Sequence, residues 1–287
     1  MPGIASAATA VAMAHVAGAT RHIRIGAGGI MLPNHAPLII AEQFGTLDAL
    51  HPGRIDLGIG RAPGTDPLTK HALRRTREGA VDHFPEDVRE LLGYFQPSSV
   101  DIGPVRAVPG AGASVEPWIL GSSLYGAELA ALLGLPYAFA SHFAPAHLMA
   151  ALSVYRQRFR PSAYLESPRV MVGVNVVAAD TDAEARLLLT SLQQAFVALR
   201  SGRPVPLPPP HAGFADRMTP AQTAMLDEVL AFAAVGSATT VSARLEELVS
   251  RTRADELIVT SQIFDEAART RSFDLVADAL IPASRAA

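Results

Sequence analysis

Short, almost continuously apolar runs alternate along this chain with longer amphipathic stretches, and no other feature limits its fold as much. Residues 170–178 read Val-Met-Val-Gly-Val-Asn-Val-Val-Ala. The run has no period of two, so a strand made from it must be covered on both faces. Residues 23–27, 55–59, 117–120, 137–141 and 256–260 read as strands of the same kind. Helical stretches follow them at 38–50, 85–95, 126–133, 145–159, 180–199 and 265–280. Asp180-Thr181-Asp182 supplies a cap for the fifth of these. An alanine-rich core helix is expected over 4–20, and two further helices over 220–234 and 237–252. Residues 201–219, with Pro204, Pro206 and Pro208 to Pro210, have no periodic pattern. Six strand–helix units with buried strands mean a parallel sheet covered by helices. Two architectures fit, a doubly wound open sheet and a (β/α)₈ barrel. Strand order separates them. A barrel keeps its strands sequential, placing the strand at 118–120 between those at 55–59 and 137–141, whereas a doubly wound sheet reverses direction.

Composition removes whole classes of function. Hydrophobic residues make up 49% and charged residues 18%, so the chain can bury a large core and is no disordered segment. A net charge of -3, with no basic stripe interleaved with aromatics, speaks against nucleic acid as a partner. The absence of cysteine excludes disulfides, thiolate metal sites, iron–sulfur clusters and cysteine nucleophiles together. Only Lys70 of the 24 basic residues is a lysine, in the turn-rich basic stretch 63–77. It reads as a solvated loop residue, which sets aside Schiff-base chemistry, since that needs a lysine amine in a pocket. No apolar run reaches the roughly 18 residues of a membrane span. Met1-Pro2-Gly3 lacks the basic lead-in of a targeting segment. A soluble, cytoplasmic protein with no membrane partner is expected.

Three motifs bear on chemistry. Gly26-Ala27-Gly28-Gly29 and Gly58-Ile59-Gly60 begin like dinucleotide fingerprints. Both lack the third glycine and the helix that must open at once to meet a pyrophosphate. Gly121-Ser122-Ser123-Leu124-Tyr125-Gly126 resembles a hydrolase elbow, but Tyr125 stands where the strained turn needs a small residue. What remains is a glycine- and serine-rich turn from a strand into a helix. Free backbone N–H groups, two hydroxyls and the helix dipole converge there, as an anion site requires; an ordinary capped loop would look the same. Arg61 is the first charge beyond the strand at 55–59, on the carboxyl edge where both candidate folds place function. Together they suggest a phosphate-bearing ligand. His142 lies just beyond the strand at 137–141, on the same edge, and is a candidate for the substrate pocket. The nine histidines form no metal signature, and no metal is expected.

Residues 26–37 (Gly-Ala-Gly-Gly-Ile-Met-Leu-Pro-Asn-His-Ala-Pro), Ala41-Glu42-Gln43-Phe44 and the run from Leu50 through Arg61 to Gly64 strongly resemble the bacterial-luciferase-like flavin monooxygenases. Residues 121–126, Gly134-Leu135-Pro136, 138–142, 180–185 and 255–260 extend the match over nearly the whole chain. The resemblance implies a (β/α)₈ TIM-type barrel as one domain over 1–287, with the proline-rich 201–219 as an insertion, and a homodimer. It implies reduced FMN, delivered by a separate flavin reductase, with a deazaflavin in some branches. Dioxygen and a small organic substrate are the implied co-reactants. In such proteins the residues matching Ala27, Gly28 and Gly29 pass beneath the isoalloxazine, often through a non-proline cis peptide. Those matching Arg61, Gly121, Ser122, Ser123 and Gly126 hold the FMN phosphate.

Family members also carry a strand, helix and strand before the residues matching Met1-Pro2-Gly3, ending in a Glu-His-His-like segment. The strands here then correspond to strands three to eight, the barrel is expected to be incomplete, and no catalytic residue is carried over. The leading expectation is a flavin-dependent monooxygenase. The alternative is a non-catalytic flavin-binding or interaction protein. A nicotinamide dehydrogenase is disfavoured by both broken glycine motifs.

Overall fold

The computed structural model describes residues 8–62, 83–101 and 103–280. Met1-Pro2-Gly3, Lys70 and the basic stretch 63–77 lie outside the described residues. Strands and helices alternate as α1 (Thr9–Ala19), β1 (Ile25–Met31), α2 (Pro37–Leu50), β2 (Ile55–Gly60), α3 (Phe84–Tyr94) and β3 (Glu116–Gly121). They continue as α4 (Leu124–Leu133), β4 (Tyr137–Phe139), α5 (Leu148–Arg158), β5 (Val170–Ala178), α6 (Asp182–Arg200) and α7 (Pro220–Val229). β6 (Ala234–Gly236), α8 (Ala238–Thr252), β7 (Glu256–Thr260) and α9 (Glu266–Leu280) complete the series. Strand order is β1-β2-β3-β4-β5-β6, with β7 also paired to β5. β3 therefore stands between β2 and β4, as a barrel requires. The fold is α/β of the (β/α)₈ type in incomplete form, with seven strands among the described residues.

Contacts divide the chain into two compact units, the first made of residues 1–121, 125–137 and 154–168. Here β1, β2 and β3 run parallel. Ile55, Leu57 and Ile59 of β2 are fully buried. Ile40, Phe44 and Leu47 of α2, at the spacing of one helix face, are buried with them. At the amino ends of the strands, Arg24 donates to Asp56, to the Gly53 carbonyl at 2.7 Å and to Glu116 at 3.1 Å. This pins three strand starts with one side chain, although such exposed pairs contribute little energy singly. Arg54 similarly donates to the Thr20 carbonyl at 2.9 Å and the Thr20 hydroxyl at 2.7 Å, holding the end of α1.

The second unit comprises residues 122–124, 138–153 and 169–287. β5 pairs with β7 through Met171 to Asn175 and with β6 through Val176 to Ala178. This corrects the expected helix over 220–234, which stops at Val229 and gives way to β6. The reason is hydrogen-bond completeness. β7 is too short to serve the last residues of β5, whose buried amides and carbonyls need partners. β4 is shorter than the expected 137–141, because Ser141 turns back, its amide donating to the Phe139 carbonyl at 3.0 Å. Thr181 caps α6 by accepting from the Glu184 amide. The neighbouring Asp182 carboxylate accepts from the Ser237 amide and from the Thr240 hydroxyl at 2.9 Å. One loop thus fixes the starts of α6 and α8. The expected proline-rich excursion is irregular except for a single 3₁₀ turn at Ala215–Arg217. It is held to α6 by Gln194, which donates to the Pro209 carbonyl, and by Thr190, which accepts from the His211 amide.

Candidate functional site

Both glycine runs that began like nucleotide fingerprints lie inside strands. β1 and β2 are in register from Ile25↔Ile55 to Ala27↔Leu57, then resume at Ile30↔Ile59. β1 therefore spends one extra residue at Gly28-Gly29, a bulge, and the peptide between these two glycines is cis. Side chains are excluded there by close backbone approach. A Cβ on Gly29 would lie 2.6 Å from the Gly58 carbonyl oxygen, and one on Gly58 would lie 2.1 Å from that of Ala27. Gly28, by contrast, is exposed and faces open space. Ala27 is buried beneath it. The result is a short stretch of bare peptide, with no side chain of the described residues within 4 Å of where a Gly28 Cβ would stand.

Arg61 follows β2 directly. Its guanidinium carbon stands 4.0 Å from the centroid of the Tyr125 ring, an attraction worth about 0.5–1 kcal/mol at an exposed site. Tyr125 belongs to the first turn of α4, where amide N–H groups lack intrahelical partners. The stacking therefore holds a positive charge beside the positive end of a helix. Among the described residues, Arg61 forms no ion pair. Gly121 and Gly126 meet closely behind the turn; a Cβ on Gly121 would be 3.5 Å from the Gly126 Cα and 3.5 Å from the Tyr137 hydroxyl. Tyr137 is fully buried, and burial pushes its phenol pKa far up, so it stays a neutral floor. Ser122 and Ser123 form the half-buried turn between β3 and α4. A fixed cation beside the opening of a helix suits an anion with several oxygens. Tyr125 was read from sequence only as the residue that spoils an elbow motif. Its position three residues after the serine turn does not announce a partner 64 positions away.

His142 lies in the second unit, beyond the end of β4. Its ring packs on Gly173 of β5, where a Cβ would come within 2.4 Å of Nδ1 and 3.0 Å of Cε1. Nδ1 is buried and has no hydrogen-bond partner among the described residues. Phe143 meets the ring edge-on at 4.7 Å. Burial pushes the imidazole pKa below its ordinary value. The backbone on either side is fixed: Asn175 donates from Nδ2 to the His142 carbonyl, and Ser141 donates to the Gly173 carbonyl at 2.5 Å. Asn175, itself buried, accepts from the Thr260 hydroxyl of β7 at 2.9 Å. Gly173, Asn175 and Thr260 escaped sequence reading because they come from two strands whose apolar runs hide single polar positions. No group of three or more metal-ligating side chains is gathered among the described residues, and no described helix is long and apolar enough to cross a membrane.

Comparison with known proteins adds an independent finding. The family model described as luciferase-like monooxygenase matches residues 1–256. A protein of Escherichia coli (strain K12) named luciferase-like monooxygenase is 51% identical over 279 residues, covering 97% of this chain and 83% of the relative. The crystal structure of apo-MsnO8 superposes with a TM-score of 0.82 at 36% identity, covering 94% of this chain and 81% of the other. Two more distant structures share the fold. The oxygenating constituent of 3,6-diketocamphane monooxygenase from Pseudomonas putida, in complex with FMN, has a TM-score of 0.67 at 20% identity, covering 96% of this chain and 84% of the other. The coenzyme F420-dependent tetrahydromethanopterin reductase of Methanopyrus kandleri has 0.65 at 15% identity, covering 96% and 87%.

Proposed function

The chain belongs to the luciferase-like monooxygenase family, and we propose that it is an FMN-dependent monooxygenase that oxidises a small organic substrate with dioxygen. The observation that carries this reading is Arg61, held over Tyr125 at the opening of α4 without an ion-pair partner among the described residues. A cation beside a helix start suits a phosphate, and FMN ends in one. The bare peptide at Gly28 supports the same reading, because a flat ring system can lie on backbone only where no Cβ intervenes. Ala27, Gly28 and Gly29 would carry the ring, while Arg61, Gly121, Ser122, Ser123 and Gly126 would hold the phosphate. His142 would line the substrate pocket.

A reduced flavin, when bound, supplies the electrons that activate dioxygen. The chain's own work is to bind it by its phosphate, orient its ring and keep water from the reacting centre. Reduction falls to a separate cytoplasmic reductase, because both glycine runs lie within strands and leave no nicotinamide fingerprint. Anaerobic titration with reduced FMN, repeated with a reduced deazaflavin, reads the cofactor from the absorbance change. Admission of air with small ketones and thioethers then reads oxygenation. Tight binding of reduced FMN, weaker binding of deazaflavin and a product carrying one atom from dioxygen are expected. Binding without any product would return the reading to a non-catalytic flavin-binding protein, and no flavin binding at all would remove it.

A further inference from the structure

One polar group that the cofactor reading leaves unused is the imidazole of His142 with its three supports. The ring edge bearing Nδ1 and Cε1 presses on Gly173, where even a methyl group would collide with it. Among the described residues, Nδ1 meets neither donor nor acceptor. A buried N–H with no acceptor costs the full desolvation of a donor, whereas a bare ring nitrogen facing a glycine Cα–H is the milder loss. The proton of the neutral ring therefore belongs on Nε2. The main chain that carries the ring is fixed, because the His142 carbonyl is bound by Asn175, and Asn175 is oriented by Thr260.

We propose that Gly173 and Asn175 are positioning residues that hold His142 in its Nε2–H tautomer, so that Nε2 is the nitrogen presented to the substrate. This rests on the reading of His142 as a substrate-pocket residue. Gly173 acts by the space it leaves, Asn175 by the carbonyl it anchors. Gly173 and Phe143, which meet the ring, carry no charge, and neither do Asn175, Thr260 and Ser141, which hold the main chain around it. Burial lowers the imidazole pKa. A ring so held offers the substrate a hydrogen-bond donor and not a positive charge.

The test needs neither flavin nor substrate, so a chain that fails to bind FMN leaves it intact. The protein is labelled with ¹⁵N at its histidine rings, and the His142 signals are assigned by their loss in His142→Gln. In the parent at neutral pH they should show the Nε2–H tautomer. Gly173→Ala should convert them to the averaged pattern of a free ring and raise the ring's titration midpoint. Asn175→Ala should do the same in part, whereas Thr260→Ser, which keeps the hydroxyl, should match the parent. Circular dichroism checks that each variant is folded; if Gly173→Ala is not, Asn175→Ala and Thr260→Val decide. A parent ring protonated on Nδ1, or folded variants that keep the parent pattern, would overturn the proposal.

Discussion

His142 couples one side chain to the pH dependence of the whole fold. Its imidazole is half-buried in the native state and its pKa lies below the ordinary 6.5. Unfolded chain therefore takes up a proton at this residue that the native chain does not, as pH falls through the window below 6.5. The contribution is complete above that window and is lost progressively as pH falls through it. Melting temperature recorded from pH 8 down to 5, for the parent and for His142→Gln, should show a steeper fall in the parent. Parallel curves would mean that His142 is as free in the native state as in the unfolded one. The position of the residue was legible from sequence, as the first histidine beyond an apolar run. Its environment was not, because Gly173 and Asn175 are ordinary-looking members of another strand.

At the scale of elements, the bulge in β1 and the loop at Asp182 make separate predictions. Gly58→Ala would place a methyl group 2.1 Å from the Ala27 carbonyl oxygen. Backbone cannot yield as a flexible side chain does, so the variant should lose roughly 1–3 kcal/mol, the usual cost of overfilling a packed place. Urea denaturation should show a lower midpoint with an unchanged slope. At Asp182, hydrogen bonds from Ser237 and Thr240 hold the carboxylate pKa below its ordinary value. Its contribution is therefore present above the unfolded pKa and lost as pH falls through the folded one, in the strongly acid range. Asp182→Ala should melt lower than the parent at neutral pH, and the difference should close towards acid. Most elements were readable because buried parallel strands form uninterrupted apolar runs and helices keep their period. The exceptions have local causes. Ala234-Val235-Gly236 is too short to carry a pattern, and β1 runs on to Met31 through Gly28 and Gly29, which no strand propensity favours.

Across the molecule, consecutive strand ends carry the candidate cofactor residues: Gly28 and Gly29 in β1, Arg61 after β2, Gly121 to Gly126 after β3. That much could be read from sequence, since carboxyl ends of successive parallel strands are where such folds place function. Tyr125 as the platform for Arg61 could not, because a cation–aromatic contact leaves no spacing to recognise. Calorimetry with FMN and with riboflavin, which lacks the phosphate, decides whether this turn and Arg61 bind the phosphate of FMN. The parent should bind FMN more tightly than riboflavin. Arg61→Ala should weaken FMN by about 1.5–3 kcal/mol, the range for a charge-assisted contact, and Ser123→Ala by less. Riboflavin binding should be the same for all three proteins. A parent that binds both flavins alike, or an Arg61→Ala variant that binds FMN as tightly as the parent, would contradict the account.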